Sequence, residues 1–105
     1  MTNVTRRQKL ESMLEAAPND QMLRYMLAME FDKESEHARS LELFQGLMKQ
    51  TPPYVPAFLM AGQLLARLER TDEARQTYQT GIAEARRQSN DHAAGEMTNF
   101  LQALQ

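Results

Sequence analysis

The chain has 105 residues, no cysteine and a formal net charge of −2, with acids and bases interspersed along its length. That size supplies one small domain with one core. The missing cysteines exclude disulfide scaffolds, cysteine nucleophiles and thiolate metal sites, and the near-neutral balance lacks the basic footprint of a nucleic-acid or acidic-membrane binder.

Pro18, the Pro52–Pro53 pair and Pro56 mark the breaks, because proline ends helices and disfavours a helical residue before it. Between them apolar residues recur at helical spacing. No segment alternates with period two over strand length, so the chain reads as all-α. The first helix is expected over residues 6–17. Thr5 and Gln8 form a T-x-x-Q capping box, and Leu10, Met13, Leu14 and Ala17 share one face. The second helix follows an Asn19 or Asp20 cap and runs to Lys33. The third runs from Ser35 or Glu36 to Gln50, and the fourth from about Pro56 to Arg70. Thr71 is read as the cap of the fifth helix, with Asp72 and Glu73 suiting the dipole of its first turn; that helix reaches Gln88. The sixth starts at Asn90 or Asp91, with Ala94, Met97, Leu101 and Leu104 along one side and Phe100 beside them. The opening MTNVTRRQKL carries no apolar stretch of signal-peptide length, and no run approaches a membrane span. A soluble, cytoplasmic chain is therefore expected.

A shift of 34 residues brings matching classes together: Leu27 on Ala61, Ala28 on Gly62, Phe31 on Leu65, Ser40 on Ala74, Phe44 on Tyr78 and Met48 on Ile82. The same shift carries Pro18 onto Pro52, Leu10 onto Phe44 and Leu14 onto Met48, so the first helix reads as half of an incomplete repeat. Gly62 lies inside an otherwise apolar helix, where glycine costs about 1 kcal/mol relative to alanine. A close neighbouring helix explains it, and the expected neighbour is Ala74. Gly81 is read as a second close approach, between hairpins.

These residues resemble the tetratricopeptide repeat, a helix–turn–helix with the pattern W-x2-L-G-x2-Y, A-x3-F and P. The later copy offers Phe58-x2-Ala61-Gly62-x2-Leu65 and Ala74-x3-Tyr78; the earlier offers Leu27-Ala28-x2-Phe31, Ser40-x3-Phe44 and Pro52. Arg24 and Arg86 depart from the pattern at the large aromatic and at the closing proline, as Ser35 and Glu69 do at the turn glycine. The resemblance implies a single helical-hairpin solenoid: a half-repeat helix over 5–17, repeats over 20–53 and 54–87, and a capping helix over 90–104. The apolar fourth helix agrees, since a helix apolar on most sides is flanked by other helices.

No constellation proposes a reaction. His37 and His92 are far apart in sequence, with no metal-ligand spacing. His37 reads as a solvated turn or first-turn residue. Ser40 reads as a small packing residue, and Ser12, Ser35 and Ser89 lack a nucleophile elbow. No phosphate-cradling glycine loop occurs. Glu30, Asp32, Glu34 and Glu36 read as a solvated acidic turn, lacking the spacing and glycine of a calcium loop. Arg67, Arg70, Arg75, Arg86 and Arg87 are interleaved with acids and lack stacking aromatics, so nucleic acid is not an expected partner. Neither catalysis nor a cofactor or metal is expected.

The resemblance instead implies a protein or peptide partner held in a groove lined by the first helix of each hairpin. The positions carried over are Met22, Tyr25, Met29, Asp32 and Lys33 from one repeat, and Pro56, Leu59, Gln63, Ala66 and Arg67 from the next. Asn99 and Gln102 are the corresponding positions of the last helix. Met22, Tyr25, Met29 and Leu59 would form an apolar patch rimmed by Lys33, Gln63 and Arg67. Some grooves of this family clamp a chaperone's C-terminal carboxylate with lysines and asparagines; Tyr25, Met29 and Leu59 stand at such positions here and argue against that activity. Two alternatives stay open: a patch covered by the last helix, and a scaffold module whose apolar stripe is a homodimer interface.

Overall fold

The computed structural model describes residues 4–104. Six helices follow one another: α1 (Arg6–Ala16), α2 (Gln21–Lys33), α3 (His37–Lys49), α4 (Val55–Arg67), α5 (Thr71–Arg87) and α6 (Asp91–Ala103). No strand occurs among the described residues. Each helix packs against the next in the chain, and α6 also reaches back to α4. The stack is elongated, 49 × 28 × 19 Å.

Local chemistry sets several of the boundaries. The Gln8 N–H donates to Thr5 Oγ1 at 3.1 Å while the Thr5 N–H donates to Gln8 Oε1 at 3.0 Å, the expected capping box. Asp20 caps α2 by accepting from the Leu23 N–H, and Asn90 caps α6 by accepting from the Ala93 N–H. Thr71 does not cap α5: it is the first helical residue, and Arg70 occupies the cap position without a side-chain cap bond. The reason lies in the preceding turn. Ser35, Glu69 and Ser89 all hold φ near +60°, and the next amide closes back five residues: Glu36 to Phe31 O at 2.8 Å, Arg70 to Leu65 O at 2.9 Å and Asn90 to Ala85 O at 2.7 Å. This left-handed closure satisfies the carbonyls at the helix end. It also ends α4 at Arg67, three residues before the expected Arg70.

The core runs through both hairpins. Ala28, Phe44, Leu47, Ala57, Phe58, Ala61, Leu64, Ala74, Tyr78, Ala85 and Met97 are almost wholly buried within it. Leu10, Leu27 and Phe31 form a second buried cluster between α1 and α2. Gly62 admits the ring of Tyr78: a Cβ there would stand 2.7 Å from both Cδ1 and Cζ. The neighbour is therefore Tyr78 rather than Ala74, one turn further along α5. Gly81 lies where a Cβ would meet Phe58 Cβ of α4 and Met97 Sδ of α6, each at 2.6 Å. Ser40 is fully buried, and its hydroxyl donates to Ala28 O at 2.7 Å. It fills a small space, as expected, and also ties α3 to α2.

Candidate functional site

The seven residues expected to line one groove lie in different surroundings. Tyr25 turns into the core, its ring 6.0 Å from Phe44 and 5.5 Å edge-on to Tyr54. Burial, aided by the neighbouring Tyr54, pushes its phenol above the ordinary value of 10.0. Leu59 is likewise half-buried against the core. Met22 and Met29 stay on the surface, 55% and 37% exposed. Met29 and Lys33 line a shallow hollow with Arg6, Met26 and Glu30. Lys33 there shares the Glu30 carboxylate with Arg6, at 3.4 and 2.8 Å respectively.

Gln63 and Arg67 belong to a different hollow. They stand four residues apart on α4 and meet Ala66 of the same helix, Tyr78 of α5, and Phe100, Ala103 and Leu104 at the end of α6. The cavity holds about 360 Å³. Its floor is Tyr78, buried at 1% exposure and stacked with Phe100 at 6.1 Å between ring centres. Burial pushes the Tyr78 phenol above its ordinary value. Phe100 is 40% exposed. Among the lining residues only Arg67 carries a charge.

The last helix thus contributes Phe100, Ala103 and Leu104 rather than Asn99 and Gln102. The i, i+3, i+4 spacing of these three is visible in the sequence. What is not visible is the rotation of α6, which is set by burying Ala94 and Met97 against α4 and α5.

The acids near the end of α2 do not form a free solvated turn. Asp32 accepts from Arg67 Nη2 of α4 at 2.6 Å and faces His37 Nδ1 of α3 at 3.3 Å. Glu34 accepts from Arg7 of α1 at 2.9 Å. The run therefore joins α1, α3 and α4 to α2. At the cap of α5 Arg70 pairs with Glu73, and along the helix Arg87 pairs with Glu84 and Arg75 reaches Asp72 at 2.9 Å. These pairings fit the reading of the arginines as ordinary helix surface. No group of three or more His, Asp or Glu able to hold a metal ion occurs among the described residues, and no described helix is long and apolar enough to cross a membrane.

The chain is similar to a tetratricopeptide repeat domain protein from Salinibacter ruber. It matches a solution NMR structure of that protein with TM-score 0.77 and 36% identity, over 82% of this chain and 87% of the other. A crystal structure of a tetratricopeptide repeat domain protein from the same organism matches with TM-score 0.73 and 35% identity, over 81% and 94%. A solution structure of a protein from Bordetella parapertussis matches with TM-score 0.80 over 98% and 88%; at 22% identity the likeness concerns the fold. No family model and no curated protein sequence matches the chain.

Proposed function

Because the chain belongs to the tetratricopeptide repeat family, we propose that it is a non-catalytic module that binds a partner protein or peptide on the face shared by α2, α4 and α6. We read residues 20–53 and 54–87 as its two repeats, with α1 as a half-repeat and α6 as the cap. One observation carries the site: an apolar hollow at the end of the stack, floored by Tyr78 and Phe100, with Arg67 as its single charged lining residue. An apolar side chain of the partner fills the hollow. Arg67 and, further along α2, Lys33 orient acidic groups beside it. The exposed Met22 and Met29 extend the contact toward the first hairpin, since methionine adapts to varied partner surfaces. Tyr25 and Leu59 support this surface from beneath.

Capture of partners from native lysate tests the reading. Arg67→Ala combined with Phe100→Ala removes an arginine and an aromatic, the residue types that dominate binding energy, both exposed side chains. Retention of the partner falls more than tenfold with helicity unchanged; unchanged retention removes the site. A second reading is homodimerisation, supported by Met13 and Met22, both more than half exposed. Sedimentation at micromolar concentration yields a dimer on that reading and a monomer on ours.

A further inference from the structure

Two buried polar atoms lack a hydrogen-bond partner among the described residues: Asp32 Oδ1 and His37 Nδ1. They face one another at 3.3 Å. The other oxygen of the same carboxylate accepts from Arg67 Nη2 at 2.6 Å. One carboxylate from α2 is thus shared by an imidazole at the start of α3 and a guanidinium at the end of α4. We propose that His37, Asp32 and Arg67 form a proton-sensitive joint between the two hairpins, through which protonation of His37 releases Arg67 toward an anionic partner. The functional half of this inference rests on the binding reading given above.

Charge balance supplies the reason. With His37 neutral, Asp32 and Arg67 neutralise each other. A proton on His37 makes the cluster net positive and divides the carboxylate between two cations. Asp32 is largely enclosed, with 15% of its side chain exposed against 35% for the imidazole, and the two facing atoms are themselves buried. Arg67 is the most exposed member, with 56% of its side chain accessible and the hollow beside it. Charged groups nearby have partners of their own: Lys33, next to Asp32, pairs with Glu30 at 3.4 Å. Glu34, on the intervening turn, is held by Arg7 of α1, and Arg39 of α3 lies over the Phe31 ring. Glu36 precedes His37 and is exposed, without a side-chain cap bond. From α4, only Arg67 reaches the cluster in the ion pairs described. Linkage is reciprocal: an anion held by Arg67 favours the proton on His37.

Side-chain NMR of the full chain, without ligand, tests the joint. The His37 Cε1–H and Arg67 Nε–H resonances are followed from pH 8 to pH 5. The Arg67 resonance moves with the same midpoint as His37 in the native chain. It stays flat in His37→Gln, which keeps the side chain polar and uncharged, and loses its pH dependence in Asp32→Asn. An Arg67 resonance that is flat in the native chain, or that still titrates in His37→Gln, overturns the proposal. Amide spectra of both variants establish that each is folded. Since no partner is present, failure here leaves the binding reading to be judged by partner capture alone, and failed capture leaves the joint standing.

Discussion

Replacing Gly62 by alanine places one carbon where the helices α4 and α5 leave none. The new Cβ would lie 2.7 Å from two ring carbons of Tyr78, whereas ordinary contact begins at 3.4 Å, a shortfall of 0.7 Å at each. Moving the ring disturbs its stack with Phe100, and Tyr78 is 1% exposed. Overpacking a tight core costs about 1–3 kcal/mol, and a rigid ring puts this site at the upper end. Alanine recovers about 1 kcal/mol of helix propensity. The net expectation is a loss of about 2 kcal/mol. For a chain of this size that lowers the thermal midpoint by roughly 10 °C. Gly95, in the middle of α6, is the control: nothing lies within 4 Å of its added Cβ. Gly95→Ala is expected to gain about 0.5–1 kcal/mol. Urea unfolding of both variants at 25 °C reads the two signs directly. A Gly62→Ala protein at least as stable as the parent refutes the packing reasoning, whatever Gly95→Ala does.

Ser35→Gly removes a side chain from a residue at φ 61°. The left-handed conformation costs a non-glycine residue roughly 1–2 kcal/mol, partly offset by the greater unfolded-state freedom of glycine, so a gain of about 0.5 kcal/mol in urea unfolding is expected; a loss counts against the turn. Burial raises the phenols of both Tyr25 and Tyr78. Their contribution is fully present below the unfolded value near pH 10 and is lost as pH rises through the folded values. Ultraviolet titration therefore shows late-ionising tyrosine absorbance that disappears on unfolding, and stability falls on the alkaline side. Glu73 behaves oppositely: its hydrogen bond and charge contact with Arg70 lower its carboxyl below the usual value. That contribution is present above the unfolded value and is lost as pH falls through the folded one, so Glu73→Gln flattens the acid limb of a stability–pH curve. An unchanged limb shows the pair to be inert.

The helices were legible because their signals are local. Thr5 with Gln8, Asp20, Asn90 and the prolines each act within a few residues. The three helix turns were less so. Ser35, Glu69 and Ser89 adopt a backbone conformation that their side chains do not advertise, and it moved the end of α4 and the cap of α5. Gly62 signalled a close approach, but the identity of its neighbour depends on how far α5 slides along α4. The site was half legible. Gln63 and Arg67 share the hollow because i and i+4 share a helix face. Tyr25 and Leu59 occupy groove positions by family pattern and are partly buried against the core; a repeat pattern assigns a face and not a depth. Phe100, Ala103 and Leu104 reach the hollow only through the rotation of α6. The Asp32–Arg67 pair spans 35 residues, so no local rule announces it.

A bulky side chain inside the hollow tests the binding role most directly. Ala103 is exposed and lines it at the end of α6, so Ala103→Trp fills the space without entering the core. Calorimetric titration with a partner purified from native lysate is expected to give more than tenfold weaker binding for this variant, at unchanged helicity and thermal midpoint. Equal affinity for the variant and the parent chain contradicts the assignment of the hollow between α4 and α6 as the binding site.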